Sequence, residues 1–405
     1  MINQQSEIYN QQFMDLQSLI SHLYQNAPAF KERMRAAKLK PDDICTSNDL
    51  RKLPVIRKEN LAELQAANPP FGGMLTIKPS ELKRIFQSPG PIYEPETRTP
   101  DYWRWASALR AAGFGAGDVV INTFTYHLTP AGAMFEEGVW AVGVTVIAGG
   151  VGNQVQQVQT IHALNVNGYV GLPSYLKALL EKSDEMTLPL KITKAFVTAE
   201  PLPPSLRSYL NGRGITVRQG YGTAECGNLG YECDQENGWH IPDDVIIEVC
   251  DINTGLPSPV GATGEIVATL FNADYAMVRF GLGDLSSLNL EPCKCGRKTP
   301  RLMGWQGRVG EATKIRGMFL HPRQLRELMA HFPEVTRWQA VVTRVNHKDY
   351  LTLRVATSDA KNKNLSERLK NAAHEAIKFN PTIEVVAADS IPPDAPAIND
   401  IRKWE

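Results

Sequence analysis

Val119-Val120-Ile121-Asn122, Val144-Thr145-Val146-Ile147, Gly168-Tyr169-Val170-Gly171 and Lys194-Ala195-Phe196-Val197 are four short apolar runs in the stretch from residue 119 to residue 197. Runs of this length, rich in β-branched residues, read as strands. Each has a neighbour whose apolar residues recur at helical spacing: Trp103 to Ala112, Gln154 to Leu164, Tyr175 to Lys182 and Ser205 to Asn211. Strands that alternate with helices bury their sheet under those helices. The stretch therefore predicts an α/β fold whose large domain is layered.

Working outward, the segment from Glu7 to about Leu39 carries Phe13, Leu16, Leu19, Ile20 and Leu23 at helical spacing and is expected to be helical. Between Asp243 and Leu288 the helical periodicity fades. Strand-like runs are separated there by Asn253-Thr254-Gly255, Pro259-Val260-Gly261 and Phe280-Gly281-Leu282-Gly283, so a β-rich subdomain is expected over about 243–306. Beyond it, Thr313-Lys314-Ile315, a helix from Gln324 to His331, strands Trp338 to Val345 and Tyr350 to Thr357, a helix from Ser366 to Lys378 and a strand Ile383 to Ala387 follow. That βαββαβ order is the pattern of a small α+β domain of ferredoxin-like type. The expected division is a large domain over 1–306 and a small mobile C-terminal domain over 307–405, with the boundary near Gly307-Arg308-Val309-Gly310. Pro392-Pro393-Asp394-Ala395-Pro396 reads as an extended loop.

The chain has 405 residues, enough for two or three domains at ~100–200 residues each. With 43% hydrophobic and 21% charged residues it has the composition of a folded globular protein, which argues against disorder or a disulfide scaffold. Lys plus Arg and Asp plus Glu both number 43, so there is no net charge to hold nucleic acid or an anionic membrane, and neither is an expected partner. The glycine-interrupted stretch Gly138 to Gly152 falls short of the ~20 apolar residues of a membrane helix. Met1-Ile2-Asn3-Gln4-Gln5-Ser6-Glu7 has neither the basic region nor the apolar core of a secretory leader, so a cytoplasmic location is expected.

Two constellations carry chemistry. Strand-like Thr216-Val217-Arg218-Gln219 leads into Tyr221-Gly222-Thr223-Ala224-Glu225. A glycine turn at a strand end exposes backbone amides and sets an aromatic ring and a carboxylate beside the crevice where open sheets bind ligands. Taken alone, the pentapeptide is equally an ordinary turn. Cys293-Lys294-Cys295 is a short chelating pair, and Cys233 with His240 completes a Cys₃His set. Four such ligands suit tetrahedral Zn²⁺ in a closed structural site. The alternative is scattered reduced thiols, because the spacing departs from Cys-x-x-Cys. Cys45, Cys226 and Cys250 read as ordinary small apolar residues.

Six segments, in order, give the chain a wider resemblance: Phe86-Gln87-Ser88-Pro89-Gly90-Pro91, Asn122 to Pro130, Ala199-Glu200-Pro201, Tyr221 to Glu225, Arg279 to Asp284, and Gly307-Arg308 through Arg316-Gly317 to Pro322. Together they resemble the adenylate-forming acyl-CoA synthetase superfamily, in particular its phenylacetate–CoA ligase branch. The resemblance implies ATP-dependent ligation of a carboxylic acid to coenzyme A through an acyl-adenylate. It implies ATP/AMP, Mg²⁺ and coenzyme A as cofactors, a small carboxylic acid and coenzyme A or a carrier thiol as partners, and leaves a homodimer open. Tyr221, with Gly222 and Thr223, would lie near adenine and Glu225 would bind magnesium. Asp284 would take the ribose hydroxyls, although without the resemblance it reads as a turn-capping aspartate. Arg308 would contact ribose or phosphate. Ala199, Glu200 and Pro201 line the nucleotide side, and Ser88 and Gly90 belong to the phosphate loop.

An acyl pocket is expected from Phe124, Tyr126, His127, Thr129, Pro130 and Gly150-Val151-Gly152, a slot better suited to a flat aryl acid than to a long chain. His127 reads either as part of that pocket or as a hydrogen-bonded core histidine. Lys314 and Arg316, followed by Gly317, would hold coenzyme A phosphates, or simply line a solvated strand edge.

Three departures from the family pattern stand out. Ser88-Pro89-Gly90-Pro91 lacks the usual lysine and places prolines, which have no N–H, where amides should cradle phosphates. Aligned on Arg402-Lys403, the lysine that bonds the acyl carboxylate and α-phosphate falls at Pro396. Gly310 replaces the hinge aspartate. A degenerate member that binds nucleotide or acyl-CoA without adenylating is therefore the alternative expectation.

Overall fold

Alternation along the central strands explains the layering. Val120, Val170 and Phe196 face a core built on Trp103, Trp105, Leu109 and Phe135. Their neighbours Ile121, Tyr169, Ala195, Val197 and Val217 face a second core with Val158, Ile161, Leu176, Leu179 and Leu210. A sheet covered on both faces needs apolar residues at both parities, so its strands read as continuous apolar runs. The computed structural model describes residues 13–88, 91–309, 313–315, 318–320, 322–345, 348–357, 363–377 and 380–402. It divides into two units, residues 1–304 and 305–405.

The first unit is organised by a nine-stranded sheet. Strands Thr145–Ala148, Val119–Asn122, Gly168–Gly171, Lys194–Val197 and Thr216–Thr223 lie parallel in that order. Beyond Thr216–Thr223 the sheet turns antiparallel through Gly227–Tyr231, Trp239–His240, Arg301–Leu302 and Leu288–Asn289. One strand therefore borders a parallel half and an antiparallel half. A second sheet orders Ile56–Arg57, Phe280–Ser286, Gly264–Leu270 and Val245–Cys250, which makes up much of the β-rich region. A separate hairpin pairs Arg84–Ser88 with Ile92–Glu96.

Near the N-terminus the helical stretch is two helices, Phe13–Asn26 and Pro28–Ala36, because Pro28 cannot continue the first and instead occupies the opening turn of the second. The expected helix over residues 7–12 lies outside the described residues.

The second unit is α+β. Its sheet runs Thr382–Ala387, Lys348–Thr357, Val335–Val345, Ile398–Asp400, with helices Pro322–Met329 and Lys363–Ile377. Leu325, Leu328, Leu351, Leu353, Leu365 and Leu369 share its core. Two details differ from the βαββαβ expectation. Thr313–Ile315 forms its own hairpin with Met318–Leu320. The edge strand comes instead from Ile398–Asp400, parallel to Val335–Val345 and just past the proline-rich loop.

Candidate functional site

All five parallel strands end on one edge, and the segments that follow them carry the residues of interest. The most confined is the end of Thr216–Thr223. A Cβ at Gly222 would sit 2.2 Å from the Gly227 carbonyl oxygen, so the antiparallel neighbour can close on this strand only if residue 222 has no side chain. That close approach fixes Tyr221. Its ring stacks on Trp239, with centroids 5.5 Å apart and planes 4° apart. Its hydroxyl donates to Asp284 Oδ2 at 2.8 Å. Burial, reinforced by Asp284, holds the phenol well above its ordinary pKa, so Tyr221 stays protonated and donates.

Four residues on, Glu225 is 4% exposed and lies 2.7 Å from Lys58 Nζ, yet neither of its carboxylate oxygens is aligned to accept a hydrogen bond. Beside it stands Glu94, 1% exposed, which accepts a hydrogen bond from the Ser88 hydroxyl on Oε1 and has no partner on Oε2. Burial pushes Glu94 up to about 7; Ser88 and Lys58 oppose the rise and the charge of Glu225 adds to it. Glu225 Oε2 and Glu94 Oε2 are thus buried without a donor, which is costly, and a hard cation that binds through oxygen would satisfy them. The donor set at Glu225 thus fits Mg²⁺. Gly90 lies outside the described residues.

The segment after Val119–Asn122 is built on Asn122, whose amide donates to Tyr126 Oη at 3.0 Å and to the Gly132 carbonyl at 2.8 Å. Burial, with Glu136 nearby, raises the Tyr126 phenol. Phe124 turns inward and stacks on Phe135, with centroids 4.8 Å apart. His127 is exposed, so it is no core histidine. After Thr145–Ala148, Gly150 and Gly152 have φ of 64° and 82°, left-handed values suited to glycine. Tyr175 Oη donates to the Gly152 carbonyl at 3.0 Å and Gln157 Nε2 to that of Gly150 at 2.8 Å, which fixes this loop. After Lys194–Val197, Ala199 has φ of 68°, and Glu200 accepts from Ser174 Oγ at 2.6 Å. Pro201 follows outside helix and strand.

In the second unit, Arg308 is exposed on a two-residue strand, and Lys314 lies on Thr313–Ile315. Arg316, Gly317 and Gly310 lie outside the described residues. Pro396 is anchored: its carbonyl accepts from Gln339 Nε2 at 3.1 Å, and the Ala397 carbonyl accepts from Ala340 N at 2.9 Å. No lysine stands between Thr382 and Arg402.

The Cys₃His set converges. The ligand atoms of Cys233, His240, Cys293 and Cys295 all lie within 4.8 Å of one another. Cys233 and Cys293 sulfurs are 3.7 Å apart, and Cys295 Sγ is 3.4 Å from His240 Nε2. A tetrahedral zinc with sulfurs at ~2.3 Å and nitrogen at ~2.0 Å spaces two sulfurs by ~3.8 Å and a sulfur and nitrogen by ~3.5 Å. The other ring nitrogen, Nδ1, lies 3.1 Å from Thr299 Oγ1, so Nε2 is the one left for a metal. Burial, then Arg297 and Arg301, lower the imidazole to about 4 and keep it in the neutral, ligating form. The fit to Zn²⁺ is close.

Lys58, Glu94 and Trp239 escaped the sequence reading. Trp239 had one signal, its place beside His240. Lys58 and Glu94 had none, since what makes them matter is Glu225, far along the chain.

A family model described as AMP-binding enzyme matches residues 102–269, and one described as AMP-binding enzyme C-terminal domain matches residues 317–396. The phenylacetate-coenzyme A ligase of Thermus thermophilus is 29% identical over 361 residues, covering 85% of this chain and 80% of that protein. The Escherichia coli protein of the same name is 27% identical over 376 residues, covering 87% and 83%. Among solved structures, an open conformation of 2-hydroxyisobutyryl-CoA ligase in complex with 2-HIB-AMP and CoA superposes with a TM-score of 0.87 over 96% of this chain and 90% of that one, at 23% identity. No described helix is long and apolar enough to cross a membrane. The chain belongs to the AMP-binding, adenylate-forming enzyme family, in its phenylacetate–CoA ligase-like branch.

Proposed function

We propose that the chain joins a carboxylic acid, aromatic by the residue types expected to line its pocket, to coenzyme A through an acyl-adenylate. In the first half-reaction a carboxylate oxygen attacks the α-phosphorus of ATP and pyrophosphate leaves. In the second, the thiol sulfur attacks the acyl carbonyl and AMP leaves. Tyr221 lies against adenine with Gly222 and Thr223 at its edge, Asp284 takes the ribose hydroxyls, and Glu225 holds the magnesium that offsets phosphate charge. Ala199, Glu200 and Pro201 line the same side. Tyr126, His127, Gly150 and Gly152 face the acid, with Phe124 as the packed wall behind them. Arg308 keeps the phosphate contact and Lys314, Arg316 and Gly317 the coenzyme A contact that the resemblance implies. The observation that supports this most is the 2.8 Å hydrogen bond joining Tyr221 to Asp284 at the strand end that precedes Glu225. Pyrophosphate exchange with a panel of aryl and acyl acids tests it, and folded protein with no exchange above background would remove the adenylation step.

A second reading has specific support. Pro396 stands where the relatives' lysine would meet the α-phosphate, a loss worth ~2.7–4 kcal/mol in the transition state. The Ser88 hydroxyl is committed to Glu94 instead of a phosphate. On this reading the chain binds nucleotide or acyl-CoA and has lost adenylation. Synthetic acyl-adenylate plus coenzyme A separates the cases: thioester without pyrophosphate exchange would leave only the second half-reaction. The Cys₃His cluster is proposed as structural zinc, checked by emission spectroscopy on purified protein.

A further inference from the structure

We propose that the nucleotide pocket selects monophosphates, AMP and acyl-adenylates, over triphosphates, with Glu94 as the residue that sets the preference; the inference rests on the reading of Tyr221, Asp284 and Glu225 as a nucleotide site. A nucleotide whose ribose is held at Asp284 extends its phosphates toward Glu225. Phosphates that reach Glu225 come up to Glu94, which stands beside it on the Ile92–Glu96 strand of the hairpin. A triphosphate there requires amide donors, hydroxyls and cations. Among the described residues of this hairpin, the hydroxyl and the cations are already engaged.

Its prolines, Pro89 and Pro91, offer no N–H. Its serine hydroxyl donates to Glu94. Its cations are spent as well: Lys83 pairs with Glu96 and Glu137, and Arg84 pairs with Glu96 at 3.1 Å and Glu137 at 3.2 Å. Lys58 pairs with Glu225. Against these three cations stand the four carboxylates Glu94, Glu96, Glu137 and Glu225, all nine-tenths or more buried. Glu94 is the one of the four with no cation within ion-pair distance: its Oε2 has no hydrogen-bond partner, and it feels Glu225 as a like charge, opposed in part by Lys58. Above its pKa of about 7, where Glu94 is ionised, placing further negative phosphates beside it adds repulsion in a poorly solvated site, where charges are weakly screened. A monophosphate stops short of that carboxylate. An adenylate made by a separate ATP-consuming activation reaction is then the natural acyl donor.

The test is calorimetric binding of AMP and ATP to the full chain at about pH 8.5, above the pKa of Glu94, each with and without Mg²⁺, for the native protein, Glu94→Gln and Glu94→Ser, with thermal unfolding to verify folding. AMP is expected to bind at least ~10-fold more tightly than MgATP, a difference of about 1.4 kcal/mol. Either folded variant is expected to narrow that ratio several-fold by improving ATP more than AMP, a change in selectivity that a purely structural role for Glu94 would not produce. MgATP binding as tightly as AMP in the native protein would overturn the inference and leave the nucleotide reading standing; it would mean that Glu94 and Glu225 jointly hold the cation that carries the triphosphate. An unchanged ratio in both variants would overturn the role of Glu94. Absence of binding by any nucleotide would remove the nucleotide reading and this inference with it.

Discussion

The Tyr221 hydroxyl and the Asp284 carboxylate are joined by a 2.8 Å hydrogen bond across two different sheets. The bond presents Asp284 at the strand that separates the parallel and antiparallel halves of the larger sheet. Tyr221→Phe keeps the ring stacked on Trp239 and removes only the donor. A hydrogen bond to a charged acceptor is worth ~1.5–3 kcal/mol, so AMP affinity is expected to fall ~10-fold or more, read by calorimetry. A Tyr221→Phe protein with native affinity would show that Asp284 needs no orienting partner.

The ion pair between Lys58 and Glu225 is asymmetric: Lys58 is 40% exposed and Glu225 almost wholly buried. Lys58→Met should cost ~1–3 kcal/mol in denaturant unfolding, because a buried carboxylate loses its counter-charge. The double variant Lys58→Met/Glu225→Gln should regain most of that loss, and the cycle measures the coupling.

Glu94 makes stability depend on pH. Its pKa in the folded chain is about 7 against 4.5 for an ordinary glutamate. Between these values the folded state binds the extra proton, so this residue's contribution to stability falls as pH rises from about 4.5 to 7 and is flat above. The slope is expected to disappear in Glu94→Gln. Unfolding titrations of both proteins across that range check it, with a difference of up to ~3 kcal/mol by neutral pH.

Zinc removal should loosen the antiparallel half. The cluster ties the loop after Gly227–Tyr231 to the loop between Leu288–Asn289 and Arg301–Leu302, and His240 follows the tryptophan that stacks on Tyr221. Chelation or Cys295→Ser is expected to release about one zinc per chain and lower the melting temperature by ~5 °C or more. Retention of the native melting temperature after complete metal loss would assign the cluster no structural weight.

Much of the architecture was legible in sequence because the central strands carry their own signal. Val119–Asn122 and Lys194–Val197 are apolar at both parities since both faces are covered, and no distant partner is needed to read them. Thr313–Ile315 misleads for the opposite reason: three residues do not say which strand they will pair with. The break at Pro28 was written in the residue itself. Arg279 shows how a motif can mislead. It opens the segment that ends in Asp284, yet it is 1% exposed, binds Glu248 at 2.9 Å and donates to the Leu53 and Gly255 carbonyls, so it braces the β-rich sheet. The four candidate metal ligands were named from residue type, and the fold brings their ligand atoms together. Lys58 and Glu94 were invisible because an isolated lysine or glutamate reads as surface until the fold buries its partner.

The anchoring of Pro396 by Gln339 has a practical consequence. Pro396 and the prolines at 89 and 91 are separate departures from the family pattern, so on the reading without adenylation Pro396→Lys alone is expected to leave pyrophosphate exchange at background. Exchange recovered by that single change would show that one side chain in the tail was the whole of the deficit.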